Sequence, residues 1–591
     1  MTMFVVLAVL GALYGLYSTL TSTLPHHFVI PPRNWKQKIT DVLDYPKPIY
    51  LKVGTKRSSF RRRLILASCQ PSYYTNFVNN KLKINPNEDR KEFLENMTYR
   101  DPKDARRKLI YGFFHPYANN GGGGERVLWQ AVKATLEADP KNVVAVYTTN
   151  LQDKPLEILD KTTKKFQVDG LDSSRIVFIY LRRFGHLIDS NYWKHFTLIG
   201  QLFGTILLTL EAMHELSPDI WIDTIGLPAS YWPISKILHI PILAYVHYPI
   251  IQQDMFNKLK FPTFSFKIIT QTRSLGDIKQ VFKLVYWSLL YWFYVYLGSF
   301  VSITLTNGSW TQNHMTTIWH TNRMYGQPID KLYPPCGTET MKLEGSKDRE
   351  NKLLYISQFR PEKRHLLLLE EYAKFLKCFK LAKLPISKLP TIVFLGSCRT
   401  PDDTKTLDEI KSSIKKLQLE EYVELVVDCA YRELVQWLTK VEYGVNAMWN
   451  EHFGIGVVEY LCGGAIPIVH ASAGPLLDIV GSDNDEWNND IGFFFKDKSD
   501  ADFKGEAVDD MLEFDNKTYP TFNKLLTMLF IETPSLVSAE NNDKKRKNGY
   551  KSLDKFSNST FETKWKHYAA QLQLLEVALR MERLSEIEMV Y

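Results

Sequence analysis

Four consecutive glycines stand directly before a helical pattern in the stretch HPYANNGGGGERVLW (115–129). The apolar run LIYGFF (109–114) precedes them, so the sequence predicts a strand, a glycine-rich loop and a helix in succession. N–H groups in the first turn of a helix attract a phosphate, and glycine lets it approach. The spacing is neither that of a dinucleotide fingerprint nor that of an ATP-hydrolysing loop. We therefore favour a ligand loop at Gly121, Gly122, Gly123 and Gly124 over a flexible surface loop.

A second candidate site lies in WNEHFGIGVVEYLCGGAIPIVHASAGPLLDIV (449–480), where a strand, a loop and a helix again follow one another. Glu451 stands at the mouth of this loop and Glu459 eight positions later, on the predicted helix. Carboxylates accept hydrogen bonds from sugar and ribose hydroxyls, while amides at the helix start can hold a diphosphate. Two glutamates at this spacing are common in helical proteins, but the flanking glycines and the strand–loop–helix context favour a ligand-binding site here. The predicted diphosphate-binding amides include those of Gly454, Ile455 and Gly456.

Two further groups of candidate residues follow predicted strands. In LLYISQFRPEKRH (353–365), Arg360, Lys363 and Arg364 come after a strand, where cations would neutralise a leaving diphosphate. In AYVHYPI, His247 follows another strand. A lone histidine is more often a structural residue than a site residue, and a charged loop is more often solvated. Both groups are therefore candidates for a ligand-binding site only because they share a position at strand ends.

Short apolar runs alternate with helical patterns from residue 108 onwards, which predicts α/β architecture with parallel, doubly wound sheets. One series of strand runs covers 109–114, 143–148, 176–181, 219–224, 242–248 and 301–306, and a second covers 352–357, 391–396, 423–428, 443–448 and 465–470. The Pro-rich segment 327–339 separates them. Because ligands bind at the carboxyl ends of such strands, we expect two Rossmann-like domains facing a cleft that collects the candidate residues.

The amino terminus is predicted to be a membrane anchor. Residues 1–24 carry no charged side chain and are long enough to cross a bilayer. A cleaved signal peptide is the alternative, but a basic start and a clear cleavage site are missing. Ten Lys and Arg residues follow between Arg33 and Arg63 and none precedes the span, which predicts that the body of the protein is cytosolic.

Two other apolar stretches complicate the membrane prediction. The first is 196–210, and the second, 284–305, is rich in Trp and Tyr. Gly298-Ser299 interrupts the second, so we divide it into a helix at 275–297 and a strand at 300–306. The aromatic residues of that helix suit either the headgroup zone of a membrane or an ordinary core, and the sequence leaves both open.

The bulk composition excludes several classes of protein. The net charge of +8 suits an anionic partner, but the basic run 544–547 lacks interleaved aromatic residues and is interpreted as a solvated loop, not a nucleic-acid site. Six scattered cysteines argue against a disulfide framework and against zinc. The sequences Asp483-Asn484-Asp485 and Asp500-Ala501-Asp502 are interpreted as solvated turns far from the motif strands, so no metal is predicted.

Taken together, the motifs resemble those of the retaining GT4-type glycosyltransferases with the GT-B fold. The resemblance rests on HPYANNGGGGERVLW, AYVHYPIIQQDM, LTNGSWTQNHM, YPPCG, ISQFRPEKRH and the 450–480 segment, and it covers roughly residue 60 to the carboxyl terminus. Within that group, the chain closely resembles the endoplasmic-reticulum (ER) α-1,2-mannosyltransferases that extend the dolichol-linked oligosaccharide of asparagine-linked glycosylation.

The resemblance implies GDP-mannose as donor and dolichol diphosphate bearing Man3GlcNAc2 as acceptor. Two mannoses, the fourth and fifth, would be added on the cytosolic face of the ER, without a cofactor, and other dolichol-pathway mannosyltransferases are candidate partners. By motif matching, Glu451 would face the donor mannose and Glu459 the ribose, and Lys363 with Arg360 would bind the diphosphate. The glycine loop would close over the phosphates, and His247 would lie near the transferred sugar. The group often has Gly-Arg where this chain has Ser357-Gln358, so the arginine role falls to Arg360 or to Arg364.

The two strand series, the linker and the resemblance together give the expected domain limits. These are an anchor at 1–25, a basic juxtamembrane segment with the start of the first domain at 26–105, an acceptor-side domain at 106–330, a nucleotide-sugar domain at 331–560 and a carboxyl-terminal helix at 561–591. Three alternatives remain open. They are a sister transferase with another nucleotide sugar or lipid acceptor, a catalytically silent membrane scaffold, and a nucleic-acid-binding protein.

Overall fold

The computed structural model describes residues 109–590, except 266–267, 269–270, 322–328, 340–348, 399, 482–485, 506 and 515–516. Before residue 109 it describes only 11–12, 14–16, 18, 50–52 and 81–83. Most of the predicted anchor and of the basic segment after it therefore lies outside the described residues, as does Asp483-Asn484-Asp485. Within the described part of the chain, no helix combines the length and the apolar character needed to cross a membrane.

The chain divides into two compact units. The first comprises Met1–Thr306, Thr311–Lys331 and Glu562–Tyr591, and the second comprises Asn307–Trp310 and Leu332–Phe561. In the first unit, β1 (Tyr50–Lys52) and β2 (Lys81–Lys83) form a small antiparallel pair. The first unit therefore includes residues from the carboxyl-terminal end of the chain.

The main sheet of the first unit has seven parallel strands in the order β5-β4-β3-β6-β7-β8-β9. They are β3 (Ile110–Phe114), β4 (Val143–Thr148), β5 (Ile176–Tyr180), β6 (Ile220–Asp223), β7 (Ile242–Val246), β8 (Ile303–Thr306) and β9 (Ile329–Lys331). Nearly every side chain of β3 to β8 is buried, as expected of a parallel sheet covered on both faces. The predicted doubly wound sheet is confirmed.

Helices connect these strands. They are α1 (Gly123–Ala138), α2 (Pro155–Phe166), α3 (Thr197–Glu215), α4 (Leu275–Gly298) and α5 (Ser309–Ile318), with short turns at Tyr231–Pro233 and Gln253–Asn257. The division of the aromatic stretch into a helix and a strand is confirmed by α4 and β8. Gly298 is the last residue of α4, and a larger residue would not fit there because a Cβ would lie 2.4 Å from the ring of Trp319.

The second unit contains six parallel strands in the order β12-β11-β10-β13-β14-β15. They are β10 (Glu350–Ile356), β11 (Thr391–Gly396), β12 (Val423–Val427), β13 (Val441–Asn446), β14 (Ile466–His470) and β15 (Phe493–Phe495). A small antiparallel sheet of β16 (Ala507–Val508), β17 (Met511–Phe514) and β18 (Lys517–Pro520) follows, which the sequence did not predict.

The remaining helices are α6 (His365–Leu381), α7 (Pro401–Lys416), α8 (Tyr431–Lys440), α9 (Ile455–Gly463), α10 (Phe522–Thr527), α11 (Ala539–Lys551) and α12 (Asn558–Val590). Within the first unit, α12 packs on the sheet-covering helix α1, where Trp565 Nε1 donates a hydrogen bond to Thr135 Oγ1 at 2.8 Å. The carboxyl-terminal helix is therefore part of the core of that unit.

The basic run 544–547 is helical, so the prediction of a solvated loop was wrong. It lies in α11, whose start is capped by the Ser538 side chain. Lys545 is buried, and its Nζ donates to Asn488 Oδ1 at 2.8 Å, while Arg546 pairs with Glu442 at 2.9 Å. The physical reason is that two of the four basic side chains, Lys545 and Arg546, pack against the rest of the second unit. A run of charges in the sequence does not reveal which of its side chains have buried hydrogen-bond acceptors.

Candidate active site

In the first unit, the strand order reverses between β3 and β6. Ligands of open parallel sheets bind at the carboxyl ends of the strands at such a reversal. His115 directly follows β3 and Thr224 directly follows β6, and His115 Nδ1 lies 2.8 Å from Thr224 Oγ1. The structure therefore brings these two side chains together at the point where the topology favours a ligand.

The glycine loop lies at the same edge of the sheet. Gly121 has φ +77°, Gly122 is the extended N-cap residue, and α1 begins at Gly123. The Gly122 N–H donates to Glu125 Oε2 at 2.6 Å, so the first helical turn already holds one carboxylate. The predicted succession of strand, glycine loop and helix is confirmed.

Gly124 connects this loop to His247. A Cβ built on Gly124 would lie 3.5 Å from His247 Nε2 and 3.9 Å from His115 Cε1. His247 follows β7 and is half-buried, and its Nε2 lies 3.0 Å from the Thr224 carbonyl oxygen. The structure thus brings His247 and the glycine loop together, although the two are more than a hundred residues apart in the sequence.

His115 and Glu125 were not identified as site residues from the sequence. His115 is almost completely buried, its Nε2 makes no hydrogen bond, and Glu125 Oε1 lies 3.6 Å away. Burial alone would raise the pKa of Glu125, but the neighbouring His115 ring and the Gly122 N–H lower it, so the carboxylate is charged. The available signal was that His115 follows a buried strand run, as His247 does.

In the second unit, the strand order reverses between β10 and β13, and Lys363 and Glu451 follow these two strands. Lys363 Nζ lies 2.5 Å from Glu451 Oε2 and 3.0 Å from Met448 Sδ. The Lys363 and Glu451 side chains are 19% and 18% exposed, which leaves the ion pair partly open to solvent. A cation and a carboxylate therefore stand side by side where the topology favours a ligand.

Backbone contacts hold both members of this pair. The Tyr355 hydroxyl donates to the Lys363 carbonyl at 2.7 Å, and the Gly474 N–H donates to the Glu451 carbonyl at 3.0 Å. Lys363 ends a short turn, Pro361–Lys363, which follows β10. Their positions are thus set by the ends of buried strands and not by a long surface loop.

Helix α9 starts beside Glu451. Its N-cap Gly454 has φ +102°, which a residue with a side chain rarely adopts. The N–H groups of Ile455 and Gly456 belong to the first turn, where no acceptor is available within the helix. A Cβ on Gly456 would approach only the Ile356 carbonyl, at 3.6 Å, so there is open space above this turn. Glu459 lies on α9 as predicted, and it is half-buried.

The two candidate arginines have different surroundings. Arg360 is 40% exposed and its Nε lies 3.2 Å from Asp403 Oδ1. Arg364 is 18% exposed, and its guanidinium donates to Asp500 Oδ1 at 2.6 Å. Both arginines pair with a buried carboxylate, so they differ mainly in exposure, and Arg360 is the more accessible cation for a ligand.

The interpretation of Asp500 as part of a solvated turn far from the motif strands was wrong. Asp500 is 4% exposed, and its Oδ2 accepts a hydrogen bond from His470 Nε2 at 2.8 Å, while Oδ1 accepts from Arg364. Burial raises the pKa of Asp500, but hydrogen bonds and charge from His470 and Arg364 lower it overall, to about 2. Asp502 pairs with Lys496 and is 46% exposed. The sequence could not show that Asp500 contacts His470, the last residue of β14.

A buried histidine lies behind Lys363. His365 exposes 2% of its surface among the rings of Tyr355, Phe359 and Phe394. Its Nε2 lies 3.0 Å from Ser357 Oγ, and burial followed by the Lys363 charge lowers its pKa to about 3. Ser357, at one of the two positions where the related transferases often have Gly-Arg, thus holds a neutral imidazole under the site.

We expect His365 to make the protein acid-sensitive. Its pKa is lowered in the folded state, so the unfolded chain binds the proton more readily between pH 6.5 and 3. Its contribution to stability is therefore complete above pH 6.5 and declines by up to about 1.4 kcal/mol per pH unit as the pH falls. Urea unfolding at several pH values should show a shallower loss for His365→Phe than for the unchanged protein. The same substitution at exposed His567 should leave the slope unchanged.

In the part of the chain that the structure describes, no three His, Cys, Asp or Glu side chains are grouped closely enough to hold a metal ion.

The chain is similar to known glycosyltransferase families in both units. Residues 108–319 match the family model described as ALG11 mannosyltransferase N-terminus, and residues 338–521 match the model described as Glycosyl transferases group 1. The fold also matches the solved N-terminal domain of Candida albicans trehalose-6-phosphate phosphatase, with TM-score 0.50, 9% identity and coverage of 79% of this chain and 96% of that chain. These matches support the predicted GT-B-like α/β fold.

Two curated relatives resemble the chain over nearly its whole length. Both are named GDP-Man:Man(3)GlcNAc(2)-PP-Dol alpha-1,2-mannosyltransferase. The protein from Debaryomyces hansenii is 55% identical, with 98% of each chain covered, and the protein from Candida albicans is 54% identical, with 100% of each chain covered. On this evidence the chain belongs to the GDP-Man:Man(3)GlcNAc(2)-PP-Dol alpha-1,2-mannosyltransferase family.

Proposed function

We propose that the chain is a retaining α-1,2-mannosyltransferase that uses GDP-mannose as donor and dolichol-linked Man3GlcNAc2 diphosphate as acceptor. It adds two mannoses in succession, the fourth and the fifth of the growing glycan. The names of the two relatives support this donor, acceptor and linkage. The observation that carries the proposal is the Lys363–Glu451 pair beside the start of α9, at the strand reversal of the second unit. Cation, carboxylate and helix amides are the groups that a nucleotide diphosphate sugar requires.

In the second unit, Lys363 and Arg360 bind the diphosphate of the donor. The amides at the start of α9, from Gly454 to Gly456, add hydrogen bonds to the phosphate oxygens. Glu451 accepts hydrogen bonds from the mannose hydroxyls, and Glu459, further along α9, accepts from the ribose. The contact with Glu451 holds the Lys363 ammonium in position for the diphosphate.

In the first unit, the glycine loop and His247 contact the phosphates and the transferred sugar. The loop backbone at Gly121–Gly124 can approach a ligand closely because no side chain intervenes. His247 is held by the carbonyl of Thr224, which fixes the orientation of its ring.

Transfer with retention requires attack on the anomeric carbon from the face that the diphosphate leaves. The bond from the anomeric carbon to the phosphate oxygen breaks with oxocarbenium character, and its electron pair goes to the diphosphate. An acceptor hydroxyl then forms the new bond on that face and passes its proton to a diphosphate oxygen. The protein stabilises the developing negative charge through Lys363, Arg360 and the α9 amides, and it aligns the acceptor. Glu451 is paired with Lys363 and is not assigned as a nucleophile.

We further propose that residues 1–25 form a single-pass anchor in the ER membrane and that both units are cytosolic. Other mannosyltransferases of the dolichol pathway are proposed partners. Catalysis is proposed to proceed without a metal ion, so activity should survive EDTA.

The decisive test uses the detergent-purified full chain with GDP-mannose and a lipid-linked Man3GlcNAc2 diphosphate. Product mass should increase by two hexoses, and an α-1,2-mannosidase should remove both. UDP-sugars serve as parallel donors. Turnover with a UDP-sugar but not with GDP-mannose would contradict the proposed donor, and no turnover with any donor would favour a silent scaffold.

We expect Gly124→Ala to lower turnover while it preserves or raises stability. The added methyl group would meet His247 and His115 only at ordinary contact distances, and alanine favours a helix by about 1 kcal/mol over glycine. The same methyl group would occupy the space through which a ligand approaches the loop. Thermal unfolding and initial transfer rates should therefore change in opposite directions.

Gly276→Ala is the matched control. Gly276 also occupies the second position of a helix, α4, and a Cβ there would approach only Ser274 Oγ, at 3.5 Å. Its transfer rate should be unchanged. Full activity in Gly124→Ala would argue against a ligand at the glycine loop.

A further inference from the structure

A series of buried hydrogen bonds runs through the second unit from Asp500 to the loop that carries Glu451. His470, the last residue of β14, is completely buried, and its Nε2 lies 2.8 Å from Asp500 Oδ2. The other ring nitrogen, Nδ1, lies 2.9 Å from the Oγ of Ser472, which is also buried. Ser472 Oγ in turn accepts a hydrogen bond from the Asn450 N–H at 2.9 Å. We call Asp500, His470 and Ser472 the buried array, and it ends one residue before Glu451.

The donors and acceptors of the buried array can all be satisfied at once. Asp500 is a carboxylate that also accepts from Arg364, so His470 Nε2 carries a proton and donates it to Asp500. In the neutral ring, Nδ1 is then an acceptor for the Ser472 hydroxyl. The Ser472 oxygen keeps a lone pair for the Asn450 N–H. A buried polar network that is fully satisfied in this way specifies a single arrangement of its members.

The turn that follows β14 holds the Glu451 loop at two points. One is the bond from the Asn450 N–H to Ser472, and the other is the bond from the Gly474 N–H to the Glu451 carbonyl, at 3.0 Å. A Cβ on Gly474 would clash with the Phe453 carbonyl oxygen, so the two backbones are in direct contact. Asn450 has φ +55°, a left-handed conformation that is uncommon for a residue with a side chain. The contacts from the turn keep the loop in this conformation.

We propose that His470 and Ser472 are positioning residues for Glu451. Both are buried, so they act through the loop and not through contact with the donor. By fixing the Asn450 backbone they set the direction in which the Glu451 side chain leaves the loop, beside Lys363 Nζ. The inference rests on the proposed function, in which Glu451 accepts hydrogen bonds from the mannose hydroxyls.

A serine, a histidine and an aspartate in a row could also form a nucleophilic triad. In such a triad the histidine Nε2 faces the serine, and the aspartate accepts from Nδ1. In the buried array the two ring nitrogens are exchanged. Ser472 is only 7% exposed, and the Asn450 N–H already donates to its oxygen. The geometry therefore supports a positioning role and not a nucleophilic one.

The test compares Ser472→Ala with the unchanged protein, as detergent-purified full chains with GDP-mannose and the lipid-linked acceptor. Without the hydroxyl, the Asn450 N–H loses its acceptor and the loop can shift. A misplacement of about 1 Å at a functional group can lower a rate about 100-fold. We therefore expect kcat to fall by about 10- to 100-fold. The affinity for GDP, which carries no mannose, should change much less.

Ser557→Ala is the matched control for this substitution. Ser557 lies in the same unit and is 2% exposed, and its Oγ accepts a hydrogen bond from the Thr560 N–H at 3.0 Å. The substitution therefore removes the same kind of buried bond, but at the start of α12 and not at the Glu451 loop. Its kcat should equal that of the unchanged protein.

A double-mutant cycle shows whether Ser472 acts through Glu451. In a Glu451→Gln background, Ser472→Ala should lower kcat/KM little further, because the group that Ser472 positions is already altered. The same fold-loss in both backgrounds would overturn the inference. An unchanged kcat in Ser472→Ala, or equal losses of transfer and of GDP affinity, would also overturn it.

The loop itself provides a readout that needs no turnover. Trp449 directly precedes Asn450. In protein labelled with fluorotryptophan, its fluorine resonance, assigned through Trp449→Phe, should move in Ser472→Ala and stay in place in Ser557→Ala. If the unchanged protein transfers no mannose, the proposed function fails, while a moved Trp449 resonance still supports the hold of Ser472 on the loop. An unmoved resonance would overturn the inference.

Discussion

Replacing Lys363 by alanine should lower turnover by about 100- to 1,000-fold, the loss seen when one group that stabilises transition-state charge is removed. The reason is geometric. Lys363 Nζ lies at the end of β10, 2.5 Å from Glu451, beside the first turn of α9. We propose it as the cation that neutralises the leaving diphosphate together with the helix amides. Initial rates with GDP-mannose and the lipid-linked acceptor would measure the loss.

The same substitution should change stability little. The two side chains of the ion pair are 19% and 18% exposed, and Glu451 can regain water once the lysine is gone. Solvent screening reduces the contribution of such partly exposed pairs to about 1 kcal/mol or less. Thermal unfolding of Lys363→Ala should therefore resemble that of the unchanged protein, which separates a catalytic defect from a folding defect.

Lys440→Ala is the control for the Lys363 experiment. Lys440 pairs with Glu350 at 2.8 Å, but Glu350 begins β10, so this pair lies at the amino-terminal end of the strand. Its loss should leave turnover unchanged. Near-normal turnover in Lys363→Ala, or an equal loss in Lys440→Ala, would contradict the role proposed for Lys363.

The strands were predictable because parallel sheets buried on both faces produce continuous apolar runs. The runs at 143–148 and 391–396 coincide with β4 and β11 to the residue. Gly298-Ser299 correctly marked the boundary between α4 and β8. The antiparallel strands β16–β18 were missed because they are only two to four residues long and partly exposed, so they leave no periodic signal.

The candidate site was predictable only where a residue follows a strand within a recognisable motif. Lys363, Glu451 and His247 were found in this way. Thr224 and His115 were not, because their proximity depends on strand order, which alternation along the sequence does not specify. Asp500 was misread for a related reason. Its partners, Arg364 and His470, are 136 and 30 residues away, and nothing local distinguishes it from exposed Asp502.

Replacing Asp500 by asparagine should destabilise the protein by about 3–5 kcal/mol, because it removes a fully buried carboxylate that is the partner of both Arg364 and His470. The Asp500 side chain is fully buried, and it accepts from Arg364 at 2.6 Å and from His470 at 2.8 Å. Asparagine keeps the shape but supplies one acceptor oxygen and no charge. Chemical denaturation at pH 7 would measure the loss, since the lowered pKa of Asp500 keeps its carboxylate ionised there.

Asp502→Asn is the matched control for this substitution, two residues along the same segment. Its carboxylate pairs with Lys496 at 2.6 Å but is 46% exposed, so water can reach the lysine in its place and its removal should cost less than that of the fully buried Asp500. The comparison also decides the role of Arg364. If Arg364 mainly holds Asp500, then Arg364→Lys should lower stability and leave the KM for GDP-mannose unchanged. A raised KM with unchanged stability would make Arg364 a donor ligand and would remove the reason to prefer Arg360.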